Sequence, residues 1–95
     1  MGLEVEWDPA KAESNLRKHG VSFEEAATVL EDRLSITVDD PDHSTDEQRF
    51  LLLGRAATGR LLIVAIAERR DNVRIISARL MTPRERRAYE QEARD

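Results

Sequence analysis

The chain has 95 residues, no cysteine and a formal net charge of −4 at pH 7. This length supports a single modest core, so we expect one domain that spans residues 1–95. Without cysteine in the sequence, disulfides, thiolate metal ligands and a cysteine nucleophile are excluded. No apolar run is long enough to cross a bilayer, and the acidic first residues lack the pattern of a signal peptide. We therefore expect a cytoplasmic protein that does not associate with membranes.

The charges are distributed unevenly along the chain. Residues 22–47 hold nine acids and one arginine, whereas residues 49–87 hold ten arginines and three acids, a net charge of +7. Five of those arginines lie in residues 74–90, RIISARLMTPRERRAYE. This asymmetry favours an anionic partner, but the acidic part could equally neutralise the basic part within the fold.

The first elements are a strand and a helix. Residues 3–7, LEVEW, alternate apolar and acidic side chains, as a half-buried strand does. Asp8 then has the position of an N-cap, Pro9 that of the first helical residue and Gly20 that of a helix stop. Few residues of this helix are apolar, and we expect Leu16 to contact the core.

A second helix, a strand and a polar loop follow. Ser22, with Glu25 three residues later, has the spacing of a capping box at a helix start. Residues 34–38, LSITV, predict a short strand. Residues 39–48, DDPDHSTDEQ, have the polar composition of a loop.

The second half of the sequence predicts a meander of three strands and a final helix. The strands are expected at 49–56, 60–68 and 73–81, separated by turns. The central strand is apolar on both sides, so both of its faces should be covered at least in part. The last helix has Thr82 as N-cap and Glu85 completing a capping box. The order β-α-α-β-β-β-β-α predicts an α+β fold, with helices packed on an antiparallel sheet.

Arginines on these strands are candidates for binding phosphate. Strict alternation puts Val73, Ile75, Ser77 and Arg79 on one face of the last strand, and Arg74, Ile76, Ala78 and Leu80 on the other. Arg79 then ends an apolar face, where it either pairs with an internal carboxylate or grips a phosphate through its planar guanidinium. Arg55 follows Gly54, whose missing side chain permits close approach of a backbone or a ligand. Each arginine could also be an ordinary surface or salt-bridged residue.

Few other residues can perform catalysis. The histidines are His19 and His43, the tyrosine is Tyr89, and no serine-hydrolase, zinc-protease or phosphate-loop motif is present. Asp40, Asp42 and His43 could chelate a divalent ion, but they lack the spacing of a calcium loop, so we expect no metal and no cofactor. The single tryptophan, Trp7, is expected in the core rather than stacked on a base.

Three separated stretches resemble the BrnT toxins of bacterial type II toxin–antitoxin systems. They are WDPAKAESNLRKHGVSFEEA, LLLGRAATGRLLIVA and RIISARLMTPRERRAYE, and the likeness runs from about Val5 to Glu90. The resemblance implies a RelE-like fold and an endoribonuclease that halts translation. It also implies neutralisation by a DNA-binding, BrnA-like ribbon-helix-helix antitoxin, typically in a 2:2 heterotetramer, so that operator DNA is contacted only through the antitoxin.

For such a toxin we expect metal-free cleavage of RNA, in which the 2′-hydroxyl attacks the adjacent phosphate. The residues expected to stabilise the phosphate are Arg55 and Arg79 first, followed by Arg60 and Arg74. Lys18 and His19 are expected to contact the substrate. The acid or base remains open among Glu68, His43, His19 and Tyr89.

Two other functions are compatible with the residues. A non-catalytic module would use the arginine-rich strand and last helix to hold an acidic protein or nucleic acid. A metal-dependent nuclease would use Asp40, Asp42 and His43 instead. Cleavage of RNA in the presence of EDTA distinguishes the three functions.

Overall fold

The computed structural model of the chain describes residues 4–41 and 48–94. Within them the strands are β1 (Glu4–Glu6), β2 (Ile36–Asp39), β3 (Gln48–Arg55), β4 (Leu61–Arg69) and β5 (Asn72–Leu80). The α-helices are α1 (Pro9–His19), α2 (Phe23–Ala27) and α3 (Pro83–Arg94). A 3-10 helix, Thr28–Glu31, continues directly from α2. The fold is α+β.

All five described strands form one sheet in the order β1-β5-β4-β3-β2. Strands β2 to β5 are a meander of antiparallel neighbours. Strand β1 lies beside β5 and runs parallel to it. The expectation of a wholly antiparallel sheet was therefore wrong, because the alternation of LEVEW indicates a strand but not the direction of its partner.

Local capping positions the first two helices as the sequence predicts. The side chain of Asp8 accepts a hydrogen bond from the backbone N–H of Ala10 at 2.9 Å. Gly20 ends α1 with φ of 70°, a left-handed conformation that glycine adopts without steric cost. Ser22 Oγ accepts from the backbone N–H of Glu25 at 3.0 Å and begins α2.

The larger core lies between one face of the sheet and α1, α2 and the 3-10 helix. Its buried side chains are Val21, Phe23, Ala26, Val29, Leu52, Ala56, Leu62, Val64, Ile66, Val73, Ile75 and Ala78. Trp7 packs edge-on against Phe23, with ring centroids 6.0 Å apart and ring planes at 81°. The predicted core role of Trp7 is confirmed.

Helix α3 packs on part of the opposite face of the sheet through Tyr89. Ile63, Met81 and Tyr89 form a second, smaller buried cluster there. Residues 62–67 of β4 are consequently all buried, as expected for a strand that is apolar on both sides. No helix among the described residues is long and apolar enough to cross a membrane.

A β-bulge changes the faces predicted for β5. Ala65 pairs with Ser77 but Ile66 pairs with Ile75, so Ile76 has no cross-strand partner in the ladder. Because paired residues share a face, Arg74, Ser77 and Arg79 lie on the α3 face, and Val73, Ile75, Ala78 and Leu80 lie on the other. The predicted strict alternation was wrong from Ile76 onward, since one extra residue inverts every later side chain.

Helix α1 is attached to β5 by a buried amide rather than by an apolar stripe. Asn15 is only 6% exposed, whereas Leu16, which we expected in the core, is 50% exposed. The Asn15 side chain donates to the carbonyls of Val21 and Ala78, each at 2.9 Å, and accepts from the N–H of Ala78 at 3.1 Å. It therefore satisfies both backbone groups of Ala78, as a neighbouring strand would.

We predict that Asn15→Asp destabilises the fold by about 3 kcal/mol, because a carboxylate cannot donate to either carbonyl and would itself be buried. The measurement is the free energy of unfolding in urea. The control is Ser14→Ala, an exposed neighbour that should change it by less than about 0.5 kcal/mol. Equal unfolding midpoints for Asn15→Asp and the unaltered protein would contradict this role of Asn15.

Candidate functional site

Positive side chains converge on a cleft between the β3–β4 turn, the end of β5 and α3. The cleft has a volume of about 390 Å³ and is called the arginine cleft below. It is lined by Arg55, Gly59, Arg60, Leu61, Leu80, Met81, Arg86 and Glu90. Three guanidinium groups thus share one hollow with a single carboxylate, and its walls are otherwise apolar or backbone.

The carboxylate of Asp32 fixes the elements around this cleft. Its Oδ2 accepts from the backbone N–H of Arg55 and from the hydroxyl of Tyr89, each at 2.8 Å, and its Oδ1 accepts from the N–H of Leu34 at 3.0 Å. Desolvation opposes ionisation of Asp32, but these hydrogen bonds outweigh it, so the pKa of Asp32 is lowered. A charged Asp32 therefore holds β3 and α3 together.

The close approach of this segment depends on Gly54. A Cβ atom there would lie 2.8 Å from Val29 Cγ1 and 2.9 Å from Asp32 Oδ2. The space that we expected a backbone or a ligand to use is occupied by the chain's own 3-10 helix and the residues that follow it.

Tyr89, a predicted acid or base, is a buried anchor beside the cleft. It is 3% exposed and donates its hydroxyl proton to Asp32. Burial first, and the Asp32 carboxylate second, raise the pKa of Tyr89. The hydroxyl group is thus kept protonated and committed to a structural contact.

Arg60 lines the cleft but is also ion-paired. Its Nε and Nη2 donate to the Glu25 carboxylate at 2.8 and 2.5 Å, and Nη2 also donates to the carbonyl of Gly20 at 3.0 Å. The Thr58 hydroxyl donates to the same carboxylate. The hydrogen bond from Arg60 is the main cause of a lowered pKa of Glu25. Arg60 therefore joins the β3–β4 turn to α1 and α2.

Arg79 pairs with a carboxylate rather than lining the arginine cleft. Its two terminal nitrogens donate to Glu85 at 2.8 and 2.9 Å in a bidentate pair. Arg79 lies opposite Ile63 and Arg55 opposite Leu61, on the strands that flank β4. Ladder spacings give a Cα separation of about 12 Å. The sequence allowed Arg79 either to pair with a carboxylate of the chain or to bind a phosphate, and in the structure it pairs with Glu85.

Two further candidates lie away from the cleft. Glu68 is exposed at the far end of β4, seven residues from Leu61 and hence about 23 Å along the strand. Arg74 lines a separate hollow with Trp7 and lies 3.6 Å from a carboxylate oxygen of Glu6. Neither side chain can reach a phosphate in the arginine cleft.

A second hollow lies between α1 and the bulge of β5, and is called the α1 groove below. It has a volume of about 190 Å³ and is lined by Lys11, Ser14, Asn15, Lys18, His19, Ile76 and Ser77. The predicted substrate-binding pair, Lys18 and His19, is thus found together, and both side chains are exposed.

The candidate metal ligands Asp40, Asp42 and His43 are not seen grouped in the part of the chain that the structure describes. His43 and Asp42 are outside residues 4–41 and 48–94, while Asp40 is buried at 8% exposure. Within those two ranges, no three His, Asp or Glu side chains are grouped as ligands for a metal ion.

The sequence interpretation missed two residues of the cleft, Arg86 and Glu90. Their spacing of four residues puts them on the same side of α3, next to Tyr89, which faces the sheet. The spacing can be read from the sequence, but it places Arg86 and Glu90 at the cleft only when the direction of the Tyr89 side chain is known.

Comparison with known proteins identifies the family. Residues 7–85 match the family model described as the ribonuclease toxin, BrnT, of type II toxin–antitoxin systems. The chain belongs to the BrnT family. The 1.1 Å crystal structure of the Brucella abortus ribonuclease toxin BrnT is similar in fold, with a TM-score of 0.65 and 19% identity over 84% of this chain and 97% of that one. Among curated proteins, none matches the chain.

The arginine cleft of this BrnT-family chain contains guanidinium donors, which are suited to binding an anion. Within the described residues, the guanidinium groups of Arg55 and Arg86 form no ion pair with a carboxylate. The Arg55 side chain donates to the carbonyl of Gly59 at 3.0 Å, and it also interacts with the Tyr89 hydroxyl and, through its charge, with the Asp32 carboxylate. These two arginines thus keep donors for an anion, and Glu90 places a carboxylate beside them.

The Arg79–Glu85 pair predicts an acid-dependent loss of stability. The hydrogen bond from Arg79 is the main cause that lowers the pKa of Glu85 from 4.5 to about 2. Because the folded pKa is depressed, the stabilisation is present above about pH 4.5 and is lost as the pH falls toward 2. We predict that Glu85→Gln, which keeps the capping box with Thr82, lowers the free energy of unfolding by about 1 kcal/mol at pH 7, since both side chains still contact water.

The measurement is urea unfolding of both proteins between pH 7 and pH 2. The difference in the free energy of unfolding between Glu85→Gln and the unaltered protein should shrink toward zero as the pH falls toward 2. The control is Glu92→Gln, an exposed change on the same helix, which should show no such trend. If the difference between Glu85→Gln and the unaltered protein did not change with pH, the Arg79–Glu85 pair would not be the source of the stabilisation.

Proposed function

We propose that this BrnT-family chain is a cytoplasmic endoribonuclease that cleaves RNA in the arginine cleft without a metal ion. The observation that carries the proposal is the convergence of Arg55 and Arg86 with Glu90 in one hollow. Guanidinium groups can supply the positive charge that other nucleases take from a divalent ion. The RelE-like class of fold implied by the sequence motifs is part of the same proposal.

The proposed reaction begins with removal of the proton from a ribose 2′-hydroxyl by the Glu90 carboxylate. The 2′-oxygen then attacks the adjacent phosphorus, and the bond from phosphorus to the 5′-oxygen breaks. The products are a 2′,3′-cyclic phosphate and a 5′-hydroxyl, whose oxygen takes its proton from a water molecule. Arg55 and Arg86 stabilise the extra negative charge of the pentavalent phosphorane.

The other ionisable groups have supporting roles in this proposal. Arg60 and Arg79 form ion pairs that keep the β3–β4 turn and α3 in position. Tyr89 holds α3 through Asp32, since its hydroxyl is already hydrogen-bonded and its pKa is raised by burial. His19 lies in the α1 groove and outside the lining of the arginine cleft.

We predict that Arg55→Ala, Arg86→Ala and Glu90→Gln each slow RNA cleavage by about 10²–10³-fold, because each removes one group that acts on the reacting atoms. Cleavage is measured as the initial rate on a long transcript of mixed sequence, in EDTA, and as growth arrest on expression in bacteria. Arg55, Arg86 and Glu90 are all exposed, so these variants should fold normally.

The matched controls are Arg17→Ala on α1, whose side chain forms an exposed pair with Glu13, and Glu92→Gln on α3. Both should cleave at the rate of the unaltered protein. Binding of RNA without cleavage would favour the non-catalytic module, and cleavage that disappears in EDTA would favour the metal-dependent nuclease.

We further propose that a BrnA-like ribbon-helix-helix antitoxin neutralises the chain, in a heterotetramer of two toxins on an antitoxin dimer. Membership of a toxin–antitoxin family supports a protein partner. We predict that the product of the adjacent reading frame co-purifies with the chain and abolishes growth arrest. Light scattering of the complex measures the stoichiometry, and a neighbour that neither binds nor protects would contradict the pairing.

A further inference from the structure

Both lysines of this chain line the α1 groove, and Lys11 also borders the separate hollow that contains Arg74, Glu6 and Asp8. The sequence has 15 basic residues, of which only Lys11 and Lys18 are lysines, and both line the α1 groove. They are seven residues apart, which is two helical turns and about 10 Å along α1, so they point to the same side. Within residues 4–41 and 48–94, neither ammonium group is ion-paired.

The lining of the α1 groove lacks any carboxylate, although the chain has 19 acidic residues. Ser14, which lies between the lysines in the sequence, also lines the groove, and Ser77 of β5 belongs to its lining at the edge of the sheet. Lysine ammonium and serine hydroxyl groups are typical donors to the phosphates and sugars of nucleic acids. The groove therefore offers several donors to an anion, and its own lining holds no carboxylate, although Glu6 and Asp8 share the neighbouring hollow with Lys11.

The α1 groove adjoins the arginine cleft. Arg60, which lines the cleft, donates to the carbonyl of Gly20, the residue directly after His19 of the groove. On β5, Ser77 of the groove and Leu80 of the cleft are three residues apart, or about 10 Å. A single strand of RNA can reach both hollows at once.

We propose that the α1 groove binds the RNA backbone next to the phosphate that is cleaved, with Lys11 and Lys18 each neutralising one phosphate. This inference rests on the proposed function and adds a substrate subsite to it. An acidic protein segment is the other possible ligand, but the lining includes only one large apolar side chain, Ile76, whereas protein interfaces bury an apolar centre. The polar lining favours RNA.

The experiment compares Lys11→Gln/Lys18→Gln with the unaltered protein in binding a 2′-O-methylated RNA, which cannot be cleaved. Two lost phosphate contacts should reduce the slope of log K against log salt by about 1.4, since each contact to a single strand contributes about 0.7. The affinity should fall about tenfold or more at about 0.1 M salt. In cleavage assays, KM should rise for a long RNA, while kcat for a dinucleotide too short to reach the groove should not change.

The matched control is Arg17→Gln/Arg33→Gln, which removes two exposed positive charges outside both hollows and should leave the slope unchanged. An unchanged slope for the lysine variant overturns the inference, as does a lysine variant that loses only antitoxin binding. If the salt slope of RNA binding depends on the lysines but the protein cleaves no RNA, the RNA-binding role of the α1 groove is supported and the proposed nuclease activity is refuted. A protein that binds no RNA would refute both.

Discussion

The carboxylate of Asp32 is the contact on which the geometry of the arginine cleft depends. It joins three parts of the chain that are distant in sequence: the turn after the 3-10 helix, the end of β3 and the middle of α3. Helix α3 packs on part of the second face of the sheet with few apolar side chains, so a hydrogen bond from Tyr89 to a charged acceptor adds to a small hydrophobic contribution. The same contact sets the direction in which Arg86 and Glu90 project from the helix, and Gly54 provides the space that lets Asp32 approach.

The uneven charge of the sequence has two consequences in the fold. Part of the basic segment is neutralised internally, because Glu25 and Glu85 hold Arg60 and Arg79. These pairs fasten α1, α2, the β3–β4 turn and α3 to one another. Other basic groups form no ion pair within the described residues, among them Arg55 and Arg86 in the cleft and the two lysines of the α1 groove. An acidic protein can therefore present basic hollows, since its acids are concentrated elsewhere or already paired.

Sequence patterns predicted the features that depend on near neighbours. The helix starts at Asp8 and Ser22, the capping box of Thr82 with Glu85 and the apolar strand β4 all follow from interactions within a few residues. The bulge at Ile76 was not predictable in this way, because it shows only in the pairing of β5 with β4. Asn15 belongs to the stretch that resembles the family, but its role in attaching α1 to β5 was not predicted for a related reason: its partner Ala78 is 63 residues away.

For the functional site, the sequence alone determined which chemistry was possible: arginines for a phosphate, few acids or bases, no thiol, and motifs that resemble the BrnT toxins. Only the tertiary structure decided which arginines are free to act. Arg55 and Arg79 have the same side chain and similar strand positions, yet one lines the cleft and the other is held by Glu85. The reason is physical: a guanidinium's availability depends on the nearest carboxylate in space, and that distance is set by packing and register rather than by local sequence.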